Sequence, residues 1–177
     1  PSERLMEQFD QMSSQLKHVK PKEIQDIKQR LKEEKGQGGA YYCSLPSFRD
    51  SYRLVTRMLE RSGQSAYLML CSLTDGKGHP LEKPEKLELL SEELQNTIQH
   101  CLRKGDSFTK YSPSQYLVLL IGTNKENCGL IFDRIRKYFA REHRSWNKYV
   151  EFYVSSVAEV DNLDTPIQFR NDDSGWK

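Results

Sequence analysis

Apolar residues recur at helical spacing through the first part of the chain. Leu5, Phe9, Met12 and Leu16 form one stripe in PSERLMEQFDQMSSQLKHV, where Pro1 and Ser2 supply a helix start. A second stripe of Ile24, Ile27 and Leu31 follows Pro21 in PKEIQDIKQRLKEEK. Both stripes are narrow, so each helix needs a partner to bury against. The glycine-rich stretch GQGGA at 36–40 interrupts the pattern, and the sequence places a boundary there.

Beyond the break the periods mix. AYYC reads as a short extended piece. In SFRDSYRLVTRMLERSG a helical face carries Phe48, Tyr52, Val55 and Leu59, and Gly63 stops the helix. SAYLMLCSLTD contains a continuous apolar run, the signature of a strand covered on both faces. After the loop DGKGHPLEKP, a long helix presents Leu87, Leu90, Leu94, Ile98 and Cys101 inward. RKGDSFTKYSPSQYLVLLIG reads as two strands joined by a tight bend at Ser112, Pro113 and Ser114. NKENCGLIFDRIRKYFAREH is a further amphipathic helix, with Cys128, Ile131, Ile135 and Tyr138 inward, and KYVEFYVSSVAEV a final strand. Residues 161–177 lack any period and read as an irregular tail. The pattern predicts a helical pair over 1–35 and an α+β domain over 40–160. Its plan is ferredoxin-like, an antiparallel sheet with packed helices.

Composition narrows the functional classes. At 177 residues, the chain can hold one domain with a core and an appendage. Charged residues reach 29%, yet the net charge is only +2, so direct nucleic-acid contact is not expected from this segment. No apolar run approaches the ~20 residues that cross a bilayer, and no membrane association is expected. Cys43, Cys71, Cys101 and Cys128 are scattered, without a C-x-x-C pair or a histidine companion. Three of the four fall on predicted core faces as small apolar residues, a reducing, cytoplasmic setting fits them, and no metal or cofactor is expected.

The candidate chemistry lies at the hairpin. Arg103 and Asp106 form R-x-x-D, Lys110 follows four residues later, and Ser112, Pro113, Ser114, Gln115 and Tyr116 precede the apolar run LVLLI. This spacing, over roughly residues 45–160, resembles the GGDEF domains of the nucleotide-cyclase fold, whose pattern is R-x-x-D-x-x-x-R-x-G-G-D-E-F. The resemblance implies a nucleotide-cyclase-like sheet. It also makes Arg103, Asp106 and Lys110 candidate ligand-binding residues for a cyclic dinucleotide, since R-x-x-D is the product-inhibition motif of active members. Arginine grips phosphate or a guanine edge through its planar fork, and aspartate accepts from guanine nitrogens.

The departures from that pattern point away from catalysis. A proline stands in for one signature glycine, which fixes φ and removes a backbone donor. Ser114 and Gln115 carry no charge where the family holds divalent ions with carboxylates. Ser72 falls where the family places a metal-binding aspartate, although a slipped register would bring Asp75 there. No catalytic residue is assigned. The competing reading of R-x-x-D is a local turn, with Gly105 at the bend and Asp106 capping backbone donors.

A second resemblance sits at the N-terminus. PSERLMEQFDQM is similar to the closing helix of a bacterial transcriptional activation domain, and the two stretches around the third helix and the hairpin resemble C-terminal extensions of SARP-type regulators. The resemblance implies the C-terminal region of a longer regulator, whose activator array and DNA-binding domain lie upstream. A non-enzymatic sensing or dimerisation module is then expected, with a homodimer among its partners; the alternative is a nucleotide-binding protein or residual cyclase. Elsewhere, His79 reads as an exposed loop residue and Arg134, Arg136, Lys137, Arg141 and Arg144 as a solvated face. Phe132, Tyr138, Phe139, Tyr149, Phe152 and Tyr153 keep core periodicity.

Overall fold

The computed structural model describes residues 2–17, 21–32, 38–158 and 167–169. The chain divides into two compact units, 1–37 and 38–177, and the division falls inside the glycine-rich break. The first unit contains α1 (Ser2–Lys17) and α2 (Pro21–Leu31). Leu5, Phe9 and Met12 of α1 are exposed, as are Ile24, Ile27 and Leu31 of α2.

The second unit follows the order β1 (Tyr41–Tyr42), α3 (Leu45–Ser62), β2 (Ala66–Leu73), α4 (Pro84–Cys101), β3 (Ser107–Ser112), β4 (Gln115–Ile121), α5 (Lys125–Phe139), a 3-10 turn (Arg144–Tyr149), β5 (Val150–Ser156) and β6 (Ile167–Phe169). Local chemistry sets the helix ends. Ser44 caps α3 by accepting from the Ser47 N–H at 3.3 Å, and Gly63 closes it in the left-handed region at φ 67°. Asn124 caps α5 by accepting from the Asn127 N–H at 2.8 Å.

The strands form one sheet in the order β1-β3-β4-β2-β5-β6. All neighbours are antiparallel except β1 and β3, which run parallel, so the sheet is mixed rather than purely antiparallel. A two-residue strand carries too little pattern to announce its partner, and β1 reaches β3 only after α3, β2 and α4 have intervened. The short β6 pairs with β5 inside the segment expected to be an irregular tail. The rest of that segment lies outside the described residues.

The apolar run of β2 is explained by its place at the centre, between β4 and β5. One face packs Met69, Cys71, Tyr116, Val118 and Phe152 against Leu90, Leu94 and Ile98 of α4 and Ile131, Phe132 and Ile135 of α5. Phe132 and Phe152 stack at 4.8 Å between centroids. The other face buries Ala66 and Leu119 under Phe48, Val55 and Leu59 of α3. Each fully buried Val, Leu, Ile, Phe or Met among them contributes about 1.5–3 kcal/mol. All four cysteines are buried and free. The last helix stops at Phe139, short of its expected end, and after the turn the Trp146 ring lies 5.6 Å from the Phe139 ring.

Candidate functional site

The bend between β3 and β4 consists of Pro113 and Ser114 alone, with Ser112 paired to Gln115. Among the described residues only glycines adopt positive φ, so this bend needs no residue in the left-handed region. A turn of that kind accepts proline and has no need of the two glycines the GGDEF pattern would place here. A local irregularity between Lys110 and Ser112 accommodates it within the ladder.

Neutral side chains knit the tip together. The Ser112 hydroxyl donates to Gln115 Oε1 at 3.0 Å, and the Gln115 amide donates to Ser72 Oγ at 3.5 Å. The Leu73 N–H donates to the Ser114 carbonyl at 2.8 Å, joining β2 to the bend. Register places Ser72 directly between Gln115 and Glu151, so these three side chains share a row on one face of the sheet. Glu151 accepts from the Tyr153 hydroxyl at 3.2 Å. Sequence reasoning missed Glu151, since nothing near it in the chain marks it; only the β2–β5 register brings it to the tip.

This donor set does not suit the divalent ions of a cyclase. The row offers one hydroxyl, one amide and a single carboxylate already engaged by a phenol, whereas magnesium bound with nucleotide phosphates prefers carboxylate oxygens. Asp75 does not supply the missing charge. Its Oδ1 accepts from the backbone N–H groups of Lys77 at 2.7 Å and His79 at 3.1 Å, which clamps the loop after β2. The Lys77 amide holds its carboxyl below the usual value, and the His79 ring lies 3.6 Å away. No group of three or more potential metal-binding side chains occurs among the described residues.

Tyr116, at the signature's aromatic position, is fully buried. Its hydroxyl pairs with Ser91 Oγ at 3.0 Å and lies 3.0 Å from the Ser91 carbonyl and 3.4 Å from Gln95 Oε1, tying β4 to α4. Burial raises its pKa.

The R-x-x-D pair occupies the far end of β3, six residues or about 20 Å of strand from the tip. Asp106 is 2% exposed, and its carboxylate accepts from the backbone N–H groups of Arg103 at 3.2 Å and Ile121 at 3.3 Å. Burial pushes its carboxyl above the ordinary value, against the lowering pull of those two amides. The Arg103 guanidinium lies 3.8 Å from the same carboxylate and donates to the Ile121 carbonyl at 3.2 Å, yet its side chain remains 64% exposed. Asp106 is therefore committed to the backbone, while Arg103 faces solvent. Lys110 is exposed farther along the strand, opposite Tyr116, and does not join them.

Arg103 and Asp106 border a cleft of about 270 Å³ with Gly122, Thr123, Asn127 and Arg134. Arg134 donates to the Cys101 carbonyl at 3.4 Å, so α5 brings a second guanidinium to the cleft. The cationic run is thus not a uniform solvated face. Arg136 lies over the Phe152 ring at 5.3 Å, Lys137 pairs with Asp133 at 2.9 Å, and Arg141 pairs with Glu93 at 2.6 Å. No helix of the described residues is long and apolar enough to cross a membrane.

No family model matches the chain, and no curated protein does. Solved structures share its architecture. The diguanylate cyclase SiaD of Pseudomonas aeruginosa, crystallised with its activator SiaC, is 16% identical at a TM-score of 0.57; the match covers 92% of this chain and 65% of SiaD's. The coiled coil and GGDEF domain of DgcB from Caulobacter crescentus, in complex with c-di-GMP, is 12% identical at a TM-score of 0.54, over 88% of this chain and 82% of that one. A DGC protein from Thermotoga maritima is 16% identical at 0.50, over 66% and 79%. Similarity at these identities is one of fold, and the sheet with its packed helices has the GGDEF, nucleotide-cyclase-like architecture.

Proposed function

We propose that residues 38–158 form a degenerate GGDEF-like domain that does not make cyclic dinucleotides and acts as a regulatory module of a bacterial transcription regulator in the cytoplasm. Its role is ligand sensing or dimerisation. The observation that carries this reading is the tip: Ser112, Gln115 and Ser72 form a neutral hydrogen-bonded chain where cyclase chemistry requires clustered carboxylates and an open glycine turn. The regulator context rests on the resemblance of the N-terminal helix to an activator array. Incubation of the purified chain with GTP or ATP and magnesium or manganese tests it. No cyclic or linear dinucleotide is expected, and turnover that Glu151→Gln abolishes would return the domain to the enzymes.

A second reading is supported by the cleft at the other end of β3. DgcB was crystallised with c-di-GMP, and two arginines, Arg103 and Arg134, line this cleft. A cyclic dinucleotide would meet guanidinium donors there, with Asp106 holding the turn rather than touching the ligand and Lys110 contributing nothing. Titration calorimetry is the check. Losing one charge-assisted contact in Arg103→Ala or Arg134→Ala should weaken binding roughly ten- to a hundredfold. Absence of heat with the wild-type chain at high ligand concentration removes this reading and leaves dimerisation.

A further inference from the structure

The outward side of α3 carries a feature that neither the tip nor the cleft uses. Arg49, Arg53, Arg57 and Arg61 follow one another at four-residue spacing, and all four are exposed. They span about 18 Å of helix. None has an ion-pair partner among the described residues, and neither do Asp50 and Glu60 on the same helix. Leu54 and Met58, 60% and 57% exposed, lie one turn before Arg57 and Arg61 on the same side. With four arginines against Asp50 and Glu60, the helix presents a cationic row, unpaired among the described residues, next to an apolar one. A nucleic-acid backbone would satisfy the arginines and leave Leu54 and Met58 in water. An acidic amphipathic helix covers both.

The chain itself carries such a helix. On α1, Glu3, Glu7 and Asp10 recur at positions i, i+4 and i+7, and within residues 2–12 only Arg4 opposes them. Leu5, Met6 and Phe9 beside them are 67%, 69% and 73% exposed. Glu3 and Asp10 lie one turn on either side of Met6, so acid and apolar groups alternate there as they do on α3.

We propose that α1 of a second copy docks along α3, with Met6 and Phe9 on Leu54 and Met58 and its acids against Arg53, Arg57 and Arg61. In a twofold pair the contact is made twice, and each chain gives one helix and receives one. The arrangement does not depend on whether the tip or the cleft binds anything.

The test is a charge exchange in the full chain, read by sedimentation velocity. R53E/R57E reverses the docking face and E7R/D10R reverses the docked helix; far-UV circular dichroism checks that helix content is kept, with the Gln versions as substitutes if it is not. The wild-type chain should form a dimer that weakens at high salt. Each reversed variant should weaken it by about tenfold or more. An equimolar mixture of the two variants should recover dimers, because each now offers the charge the other lacks. A monomeric wild type overturns the proposal. So does a dimer indifferent to both reversals, or a mixture that stays monomeric. Retardation of an oligonucleotide by the arginine row without self-association would assign the face to nucleic acid instead.

Discussion

Removing the Asp106 carboxylate separates a structural clamp from a ligand contact. In Asp106→Ala the backbone N–H groups of Arg103 and Ile121 lose their acceptor, and the exposed Arg103 guanidinium loses its anionic neighbour. A hydrogen bond to a charged group contributes about 1.5–3 kcal/mol, and an unsatisfied buried donor costs about 1–3 kcal/mol. Arg103 stands in solvent, so water can replace one of the two bonds, and relief from burying a charge offsets part of the rest. The net loss should be about 2 kcal/mol, a fall in Tm of roughly 5–10 °C for a domain of this size. The pH response adds an independent readout. Burial raises the folded-state pKa of Asp106 above its ordinary value. The folded protein therefore holds that proton more tightly than the unfolded chain. The group's contribution to stability is fully present below the unfolded pKa and fades as pH rises through the folded one. Between pH 7 and the mildly acidic range, the wild type should gain stability relative to Asp106→Asn, which cannot titrate. Thermal unfolding gives the change in Tm, and urea unfolding of the three proteins across that range gives the pH response. A Tm unchanged in Asp106→Ala, with c-di-GMP binding lost, would refute the clamp and make Asp106 a ligand residue.

Three further outcomes follow from the geometry. Changing residues 112–116 to Gly-Gly-Asp-Glu-Phe should not create dinucleotide synthesis detectable by chromatography, because Ser72 remains in the row and Asp75 remains tied to its own loop. It should also lower stability, at up to ~1 kcal/mol for each glycine. Tyr116→Phe alone should cost about 1–2 kcal/mol in denaturant unfolding, since Ser91 and Gln95 lose their shared buried partner. Gly39→Ala should destabilise the α+β unit by about 3 kcal/mol or more, as φ is 77° and a Cβ there would run into the Gln99 carbonyl; a thermal shift under 2 °C would show that this turn relaxes freely.

Much of the architecture was written in local pattern. The faces of α3, α4 and α5 follow from apolar residues spaced to one side, and the unbroken run in β2 announces a strand covered on both faces, because burial of a face is a repeating local requirement. The hairpin bend was equally legible, since proline between two serines in an alternating segment leaves few alternatives. The R-x-x-D spacing also marked a real neighbourhood, for Arg103 and Asp106 do meet. What that neighbourhood means depended on tertiary structure. Asp106 turns inward because Ile121, fifteen residues away, presents a backbone N–H that must be satisfied. Arg134 joins Arg103 only because α5 packs beside α4. The row of Gln115, Ser72 and Glu151 likewise depends on the register of three strands spread over eighty residues of chain. The parallel pairing of β1 with β3 has the same origin. Periodicity states which side of an element is buried, but the partner across that surface is chosen by the packing of the whole core.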